Sequence, residues 1–182
     1  MGVEAGLDVE ALLARVPDGS KAEWVDGGVV RMSPAGGMHN YAAGEIFASL
    51  RAHAKRTRSG RAATDNAGFL VDLPNRKSFS PDAAYYHGPL TYRFITGAPV
   101  FAVEIRSEND YGPAAEAAMA EKRAEYFAAG TLVVWDVDLH SEDVIRSYKT
   151  DSDEPAVYRR GDVARAERAV AGWEMPVDDL WP

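Results

Sequence analysis

The strongest constraint on the fold is a pair of apolar runs separated by a helix-forming stretch. VFAVEI (100–105) and TLVVWDVD (131–138) are apolar at nearly every position, as is typical of strands covered on both faces. Residues 113–129 between them are rich in Ala and Glu and end at Gly130, which predicts a helix of about four turns. Strand, helix and strand in this order predict a buried parallel βαβ unit with a right-handed crossover.

The N-terminal third predicts two helices and a hairpin. Asp8 is placed to cap a first helix over residues 9–16. The stretch AEWVDGGVVRM (22–32) predicts a hairpin, because its central Asp-Gly-Gly supplies the positive-φ residues of a tight turn; Glu23 and Asp26 are predicted on its surface. A second helix is predicted from about His39 to Arg56. Apolar residues at helical spacing form its buried face: Ile46, Phe47, Leu50 and Ala54.

Further strands are predicted on both sides of the βαβ unit. AGFLVDL (67–73) and SPDAAYY (80–86) precede it. DVIRSYK and AVYRR, around an acidic DSDE turn, predict outer antiparallel strands, and AGWEMPVDDLWP predicts a short closing segment. The chain is therefore expected to fold as an α/β protein.

Composition limits the kinds of protein that this chain can be. Its 182 residues suit one globular domain, and we expect a single domain over residues 1–182. No apolar run approaches the ~20 residues that span a bilayer, and MGVEAGLDVE has no signal-peptide pattern, so we expect a cytoplasmic protein without membrane contact. Cys is absent, so any metal must be held by oxygen or imidazole. The net charge of −8 opposes sequence-independent attraction to nucleic acid.

Glu104 places a carboxylate inside the first apolar run. A buried ionised carboxylate is costly unless it is paired, hydrogen-bonded or bound to a metal. In one interpretation Glu104 lies at the strand's end, in solvent or paired with Arg106, which the period of two places on the same face. In the other interpretation Glu104 belongs to a metal site.

Asp82 supplies a second acid. It follows Pro81 at the start of the predicted strand 80–86. Ser-Pro-Asp is also a common turn sequence, which is the simpler interpretation. If the two strands are adjacent, however, each delivers one carboxylate at an end. Two carboxylates, with backbone carbonyls and retained waters, are what Mg²⁺ binds in proteins.

The packing face of the predicted helix 113–129 contains one lysine. That face is formed by Ala115, Ala118, Met119, Lys122, Tyr126 and Ala129. Lys122 either extends along the helix to reach water or points at a negative group. Because the helix follows the Glu104 strand and must pack back on the sheet, the second interpretation places Lys122 above the two acids.

This ordered set of Pro-Asp, strand Glu and Lys resembles the PD-(D/E)xK nuclease superfamily and, more narrowly, the Uma-two family of bacterial restriction-endonuclease-like proteins. The matching stretches run from about Glu23 to Trp181 and are AEWVDGGVVRMSP with His39 downstream, SPDAAYY, VEIRS, EKRAEYFAAG leading into VVWDVD, and AGWEMPVDDLW. The resemblance implies a restriction-endonuclease-like core, with a mixed central β-sheet flanked by helices, an N-terminal hairpin and outer antiparallel strands.

The same resemblance implies a metal-dependent endonuclease that hydrolyses phosphodiester bonds, with DNA as the expected substrate. Asp82, Glu104 and the backbone carbonyl of Ile105 would bind Mg²⁺ or Mn²⁺, which polarises the phosphate and lowers the pKa of a bound water. Lys122 would orient that water and offset charge on the phosphoryl oxygens. Superfamily nucleases often act as dimers, so a homodimer is expected.

Three further residues have open roles. In the family, the lysine of the motif is typically supplied from the helix that follows the strand Glu, and Lys122 matches this pattern. Position 106, where the family often has an apolar residue, is Arg in this chain. Three interpretations of Arg106 are open: it assists at the site, it pairs with Glu104, or it is neutral to function. Glu45 is either an outer metal ligand through water or an exposed helix residue, and His39 matches a recurrent family position of unassigned role.

One stretch, RAHAKRTRSGR (51–61), is strongly basic. It contains five cations and no acid: Arg51, Lys55, Arg56, Arg58 and Arg61. They either complement the negative end of a helix dipole or form an edge that contacts nucleic acid.

A catalytically inactive nuclease fold, used for binding or assembly, is the alternative function, motivated by the acidic net charge and by Arg106 beside the acids.

Overall fold

A computed structural model describes residues 8–16 and 20–182 of the chain. The helices in these ranges are α1 Val9–Leu13, α2 Gly37–Thr57, α3 Pro113–Ala128 and a 3₁₀-helix Val177–Leu180. The strands, in chain order, are β1 Ala22–Val25, β2 Gly28–Arg31, β3 Arg61–Thr64, β4 Phe69–Leu70, β5 Ser78–Phe79, β6 Ala83–Tyr86, β7 Ile95–Thr96, β8 Phe101–Ile105, β9 Val133–Val137, β10 Ile145–Lys149, β11 Ser152–Tyr158, β12 Val163–Arg165 and β13 Glu174–Pro176.

The predicted strand–helix–strand unit lies at the centre of the protein. β8 and β9 are parallel neighbours, and Glu104 lies opposite Asp136. Pro113 starts α3, where its missing N–H leaves no hydrogen bond unmade. Gly130, just beyond the helix, has a φ of 106°, which only glycine adopts readily. The prediction of a parallel βαβ unit is confirmed.

The central sheet has six strands in the order β11-β10-β9-β8-β6-β3. Only the β8–β9 pair is parallel, so the sheet is mixed. One face packs on α2 and the C-terminal segment, where Trp173 lies 5.2 Å from the ring of Trp135. The other face packs on α3, where the Tyr126 ring stacks on Phe79 at 3.9 Å. The predicted fold class is confirmed.

Two strand predictions were wrong in extent or place. AGFLVDL forms only the short β4, which pairs with β5 and β7 in a separate sheet. The chain turns back after β4 because Val71 and Leu73 donate main-chain hydrogen bonds to Lys77 and Arg76. The turn predicted at DSDE lies slightly earlier, at Thr150 and Asp151, and β11 already begins at Ser152. The edge strand β3 was not predicted.

The N-terminal elements agree more closely with their predictions. The backbone N–H of Ala11 donates to the Asp8 carboxylate, as expected of a cap, although α1 ends at Leu13 rather than at position 16. The hairpin turns through Asp26 and Gly27, with φ values of 48° and 77°. On α2, three of the four predicted face residues are buried and Phe47 is partly exposed. Within the described ranges no helix is long and apolar enough to cross a membrane.

Candidate active site

The central sheet brings Asp82 and Glu104 side by side. Ala83 on β6 lies opposite Val103 on β8, and the Asp82 N–H donates to the Val103 carbonyl at 3.0 Å. Continuing this register by one residue places Asp82 opposite Glu104. Both side chains therefore leave the sheet on the face that α3 covers.

A row of acids extends across this face. The pairing of Thr64 with Ala83 continues to Asp65 opposite Asp82, and Glu104 lies opposite Asp136 on the far side. The row thus runs Asp65, Asp82, Glu104, Asp136 across four neighbouring strands. Adjacent carboxylates repel one another, so each one requires a compensating cation or donor.

Three donors surround the Asp82 carboxylate, which is 7% exposed. Lys21 Nζ lies 2.8 Å from Oδ1, and the Ile105 N–H donates to Oδ2 at 2.7 Å. His39 Nε2 lies 3.2 Å from Oδ2. Burial alone would raise the pKa of Asp82, but the hydrogen bond from His39 and the charge of Lys21 outweigh it and hold the pKa well below its usual range.

His39, in the first turn of α2, also contacts the backbone at the site. Its Nε2 lies 2.9 Å from the Ile105 carbonyl oxygen, so the ring bridges that carbonyl and Asp82. Both partners are acceptors, and Nε2 therefore carries the proton. The hydrogen bond to Asp82 raises the pKa of the imidazole.

Glu104 is held from the helix side. Lys122 Nζ lies 3.0 Å from Oε1, and the Tyr126 hydroxyl donates to the same oxygen at 2.6 Å. Burial raises the pKa of Glu104 because the charge of Lys122 offsets desolvation only in part and Asp82 adds repulsion. The carboxylate keeps 28% of its side-chain surface exposed, so it is reachable from solvent.

Lys122 is fixed by a second carboxylate, that of Glu23 on β1. Lys122 Nζ lies 3.1 Å from Glu23 Oε1, and Arg76 Nη1 donates to Glu23 Oε2 at 2.5 Å. The Ser80 N–H completes the set at 2.8 Å. Burial would lower the pKa of Lys122, but Glu104 and Glu23 raise it above its ordinary value, so the ammonium stays charged.

The donor set of this centre suits a hard divalent cation. Asp82, Glu104 and the Ile105 carbonyl present oxygen atoms on two neighbouring strands, and such cations prefer oxygen ligands. In residues 8–16 and 20–182 no group of three or more His, Asp or Glu residues is arranged to hold a metal ion. Mg²⁺ commonly keeps several waters and uses one or two carboxylates, so the residues present fit that ion.

Residues 8–178 match the Uma2 family, the Uma-two family of the sequence analysis, whose description reads "Putative restriction endonuclease". The chain belongs to the Uma2 family. No curated protein matches it. A crystal structure from Anabaena variabilis, described as "a putative nuclease belonging to DUF820", superimposes with a TM-score of 0.71 at 17% identity, covering 87% of this chain and 88% of that one.

At this identity the Anabaena structure establishes the fold of the Uma2 chain and no more. It supports the mixed sheet and flanking helices described above. The arrangement of Asp82, Glu104 and Lys122 comes from the geometry of this chain. The structure brings these three predicted residues into one cluster, which also contains the Ile105 carbonyl and His39.

Arg106 lies outside the group formed around Glu104. Its Nε and Nη2 donate to the two oxygens of Asp136 at 2.8 and 2.7 Å, and Nη1 and Nη2 also contact Glu116. Hydrogen bonds to Asp136 raise the pKa of the guanidinium further. Pairing with Glu104, one of three predicted alternatives, was wrong, because every nitrogen of Arg106 is engaged by other acids.

The remaining predicted residues form no hydrogen bond or ion pair with Asp82 or Glu104 in the described part of the chain. Glu45 has no ion pair or hydrogen bond within the described part of the chain, and its role as an outer ligand stays a prediction. Four basic residues are exposed at the far end of α2: Arg51, Lys55, Arg56 and Arg58. The helix rises about 24 Å between His39 and Lys55, so these cations do not line the carboxylates.

Sequence reasoning missed Lys21 and misplaced Glu23. Glu23 was predicted on the hairpin surface but is only 3% exposed. The reason is that β1 packs beside β5, with the Trp24 N–H donating to Ser78 Oγ at 2.8 Å and the Lys77 N–H to the Trp24 carbonyl at 3.0 Å. The family resemblance begins at Glu23, which was the available signal; Lys21 carried none.

Proposed function

We propose that this Uma2 protein is a metal-dependent endonuclease that hydrolyses phosphodiester bonds in DNA. The observation that carries the proposal is the convergence of Asp82, Glu104 and Lys122 on one face of the sheet, with Lys122 Nζ 3.0 Å from Glu104 Oε1. The description of the family supports hydrolysis of nucleic acid. Fold alone would not, because one fold hosts many functions.

In this proposal Asp82, Glu104 and the Ile105 carbonyl hold Mg²⁺ or Mn²⁺, which when bound polarises the phosphate and lowers the pKa of water. The protein's own contribution is a fixed positive charge. Lys122 is anchored by Glu104 and Glu23 and needs no reorganisation to face charge developing on the phosphoryl oxygens. Tyr126 holds Glu104 in one orientation.

The basic end of α2 supplies a second contact with the substrate. Arg51, Lys55 and Arg58 are exposed and form no ion pair with an acid in the described ranges, whereas eleven other cations do. A duplex that enters the site and runs along α2 would meet Arg51 after about 18 Å and Lys55 after about 24 Å, which is about five and seven base pairs at 3.4 Å each. They would then neutralise backbone phosphates without reading sequence.

We also propose that the protein acts as a homodimer, because nucleases of the superfamily that it resembles often pair two sites to cut the two strands of a duplex. Light scattering on the purified protein measures this directly. A mass of one chain, 19.8 kDa, without DNA and a mass of one chain plus one duplex with DNA would contradict the dimer.

A second candidate function has one observation in its favour. Both oxygens of Asp82 already accept hydrogen bonds from protein donors, as they would in a purely structural ion-pair cluster. A nuclease fold kept for binding or assembly would use the acids in this way. Arg106 no longer supports this alternative, because it pairs with Asp136 and Glu116 rather than with Glu104.

The deciding experiment combines cleavage with metal titration. Wild type, Asp82→Ala, Lys122→Ala and the exposed control Asp72→Ala are incubated with supercoiled and linear DNA in Mg²⁺ or Mn²⁺. We expect cleavage by wild type and Asp72→Ala only, and calorimetric Mn²⁺ binding that Asp82→Ala abolishes. A wild type that binds Mn²⁺ nowhere and cuts nothing would leave the binding module as the function.

A further inference from the structure

Lys21 places a cation against one oxygen of Asp82, a proposed metal ligand. It directly precedes β1, and its side chain is 13% exposed. Its ammonium nitrogen lies 2.8 Å from Asp82 Oδ1 and 2.6 Å from Asp65 Oδ1. Lys21 thus bridges the two carboxylates that the β3–β6 register places opposite each other.

Of the two Asp82 oxygens, the one that Lys21 contacts has fewer protein donors. Asp82 Oδ2 already accepts from the Ile105 N–H and lies 3.2 Å from His39 Nε2. Oδ1 has Lys21 as its partner. A divalent cation binds a carboxylate oxygen at about 2 Å, and an ammonium group on the same oxygen would repel it strongly at such a separation.

Asp65 gives the ammonium group a second position. Its carboxylate is 38% exposed, and the Asn66 N–H donates to Oδ1 at 2.9 Å, which fixes its orientation. Lys21 already contacts Asp65, so release from Asp82 requires only a small displacement along a flexible side chain. The charge is then still compensated by one acid of the row.

We propose that Lys21 is a built-in counter-ion of Asp82 that passes to Asp65 when a divalent cation binds, and that this exchange sets the metal affinity. The inference rests on the proposed metal-dependent function. In the metal-free protein Lys21 keeps Asp65 and Asp82 from repelling each other. In the metal-bound protein it competes with the cation for Asp82, so the site binds metal less tightly than its ligands alone would.

The test is Mn²⁺ titration calorimetry on four proteins: wild type, Lys21→Met, Asp65→Asn and the control Lys77→Met. Lys77 pairs with Asp72, which is 93% exposed, and contacts none of the four acids of the row. Lys21→Met should tighten Mn²⁺ binding by about tenfold or more because the competing charge is gone. Asp65→Asn should weaken binding, since Lys21 loses its second partner, and Lys77→Met should match wild type.

A double variant separates this exchange from a general effect of charge. If Asp65 acts through Lys21, Asp65→Asn weakens Mn²⁺ binding much less in the Lys21→Met background than in wild type. Equal losses in both backgrounds would overturn the proposal. A structure with Mn²⁺ bound should place Lys21 Nζ against Asp65 and away from Asp82 Oδ1, and an unchanged Lys21–Asp82 contact would also overturn it.

The outcomes distinguish this inference from the proposed function. Equal Mn²⁺ affinities of wild type and Lys21→Met would overturn the counter-ion role and leave the metal site standing. Absence of Mn²⁺ binding in both proteins would overturn the metal site and the counter-ion role together. Melting curves confirm folding, and Lys21→Gln, which keeps a hydrogen-bond donor without the charge, replaces Lys21→Met if that variant does not fold.

Discussion

Lys122 on α3 lies with its ammonium nitrogen 3.0 Å from Oε1 of Glu104 on β8. The contact exists because the helix that follows β8 returns across the same face of the sheet before β9 begins. Lys122 also lies 3.1 Å from Glu23, so its position is set by two elements that are distant in sequence. A lysine fixed in this way is a positioned charge, which is the property that stabilisation of a transition state requires.

Replacement of Lys122 by Met should lower DNA cleavage by about 100-fold or more, the usual cost of removing one such stabilising group. Mn²⁺ binding should persist, because Lys122 supplies no metal ligand. Initial cleavage rates and calorimetry measure the two properties. The control is Lys149→Met, because Lys149 lies on β10, away from the four acids of the row. A folded Lys122→Met protein that cuts within a few-fold of wild type would contradict the assigned role.

Replacement of Glu104 by Gln should stabilise the metal-free protein while abolishing cleavage. Burial and the neighbouring Asp82 raise the pKa of Glu104, so its charged form is disfavoured in the fold. The amide removes that charge, Gln Oε1 still accepts from Tyr126, and Lys122 keeps Glu23 as its ion-pair partner. We expect a gain of about 0.5–2 kcal/mol in the free energy of unfolding, as at other functional positions. Denaturant titration in EDTA, with exposed Glu142→Gln as the control, measures it; a loss of stability would refute this reasoning.

Replacement of Glu23 by Gln should destabilise the protein strongly. Glu23 is 3% exposed and compensates both Arg76 and Lys122. Removing one partner of a buried ion pair leaves uncompensated charge and costs about 3–5 kcal/mol. The matched control on the same hairpin is Asp26→Asn, because Asn tolerates the positive φ and the side chain is exposed; its effect should stay within about 0.5 kcal/mol. Similar stabilities for the two variants would contradict the prediction.

The stabilisation from Glu23 should also depend on pH. Burial would raise the pKa of Glu23, but Lys122 and Arg76 outweigh it and hold the pKa below its usual value. A carboxyl group whose pKa is lowered in the folded state stabilises the fold fully at pH values above its unfolded-state pKa, about 4.3. That contribution is lost as the pH falls through the folded-state pKa. The difference in unfolding free energy between wild type and Glu23→Gln should therefore be full at pH 7 and shrink below about pH 4. A difference that is constant with pH would show that charge is not its cause.

The combined replacement of Arg51, Lys55 and Arg58 by Gln should weaken binding to long duplexes only. Fluorescence anisotropy in EDTA with duplexes of about 5 and 20 base pairs tests this, because α2 separates Arg51, the nearest of the three cations, from His39 by about 18 Å. The salt dependence of log K should fall by about 0.9 per lost phosphate contact. The control replaces Arg159, Arg165 and Arg168, exposed arginines already paired with acids. Equal losses in both triple variants would show that only net charge matters.

Local sequence patterns predicted the framework that carries the site. The apolar runs around residues 113–129 gave the parallel βαβ unit, and Asp8, Gly130 and the Asp26-Gly27 turn were identified from caps and turn chemistry. These features depend on neighbours in the chain. The edge strand β3 and the small sheet containing β4 were missed, because their pairing depends on segments that are distant in sequence.

The sequence by itself determined which side chains are anomalous in this protein: Asp82 and Glu104 at strand ends and Lys122 on a packing face. Only the tertiary structure decided their partners. It assigned Arg106 to Asp136, buried Glu23 beside Lys122 and placed Lys21 between Asp65 and Asp82. The physical reason is that periodicity specifies the face from which a side chain leaves its own element, whereas charge compensation depends on distances between elements, which strand register and helix packing set.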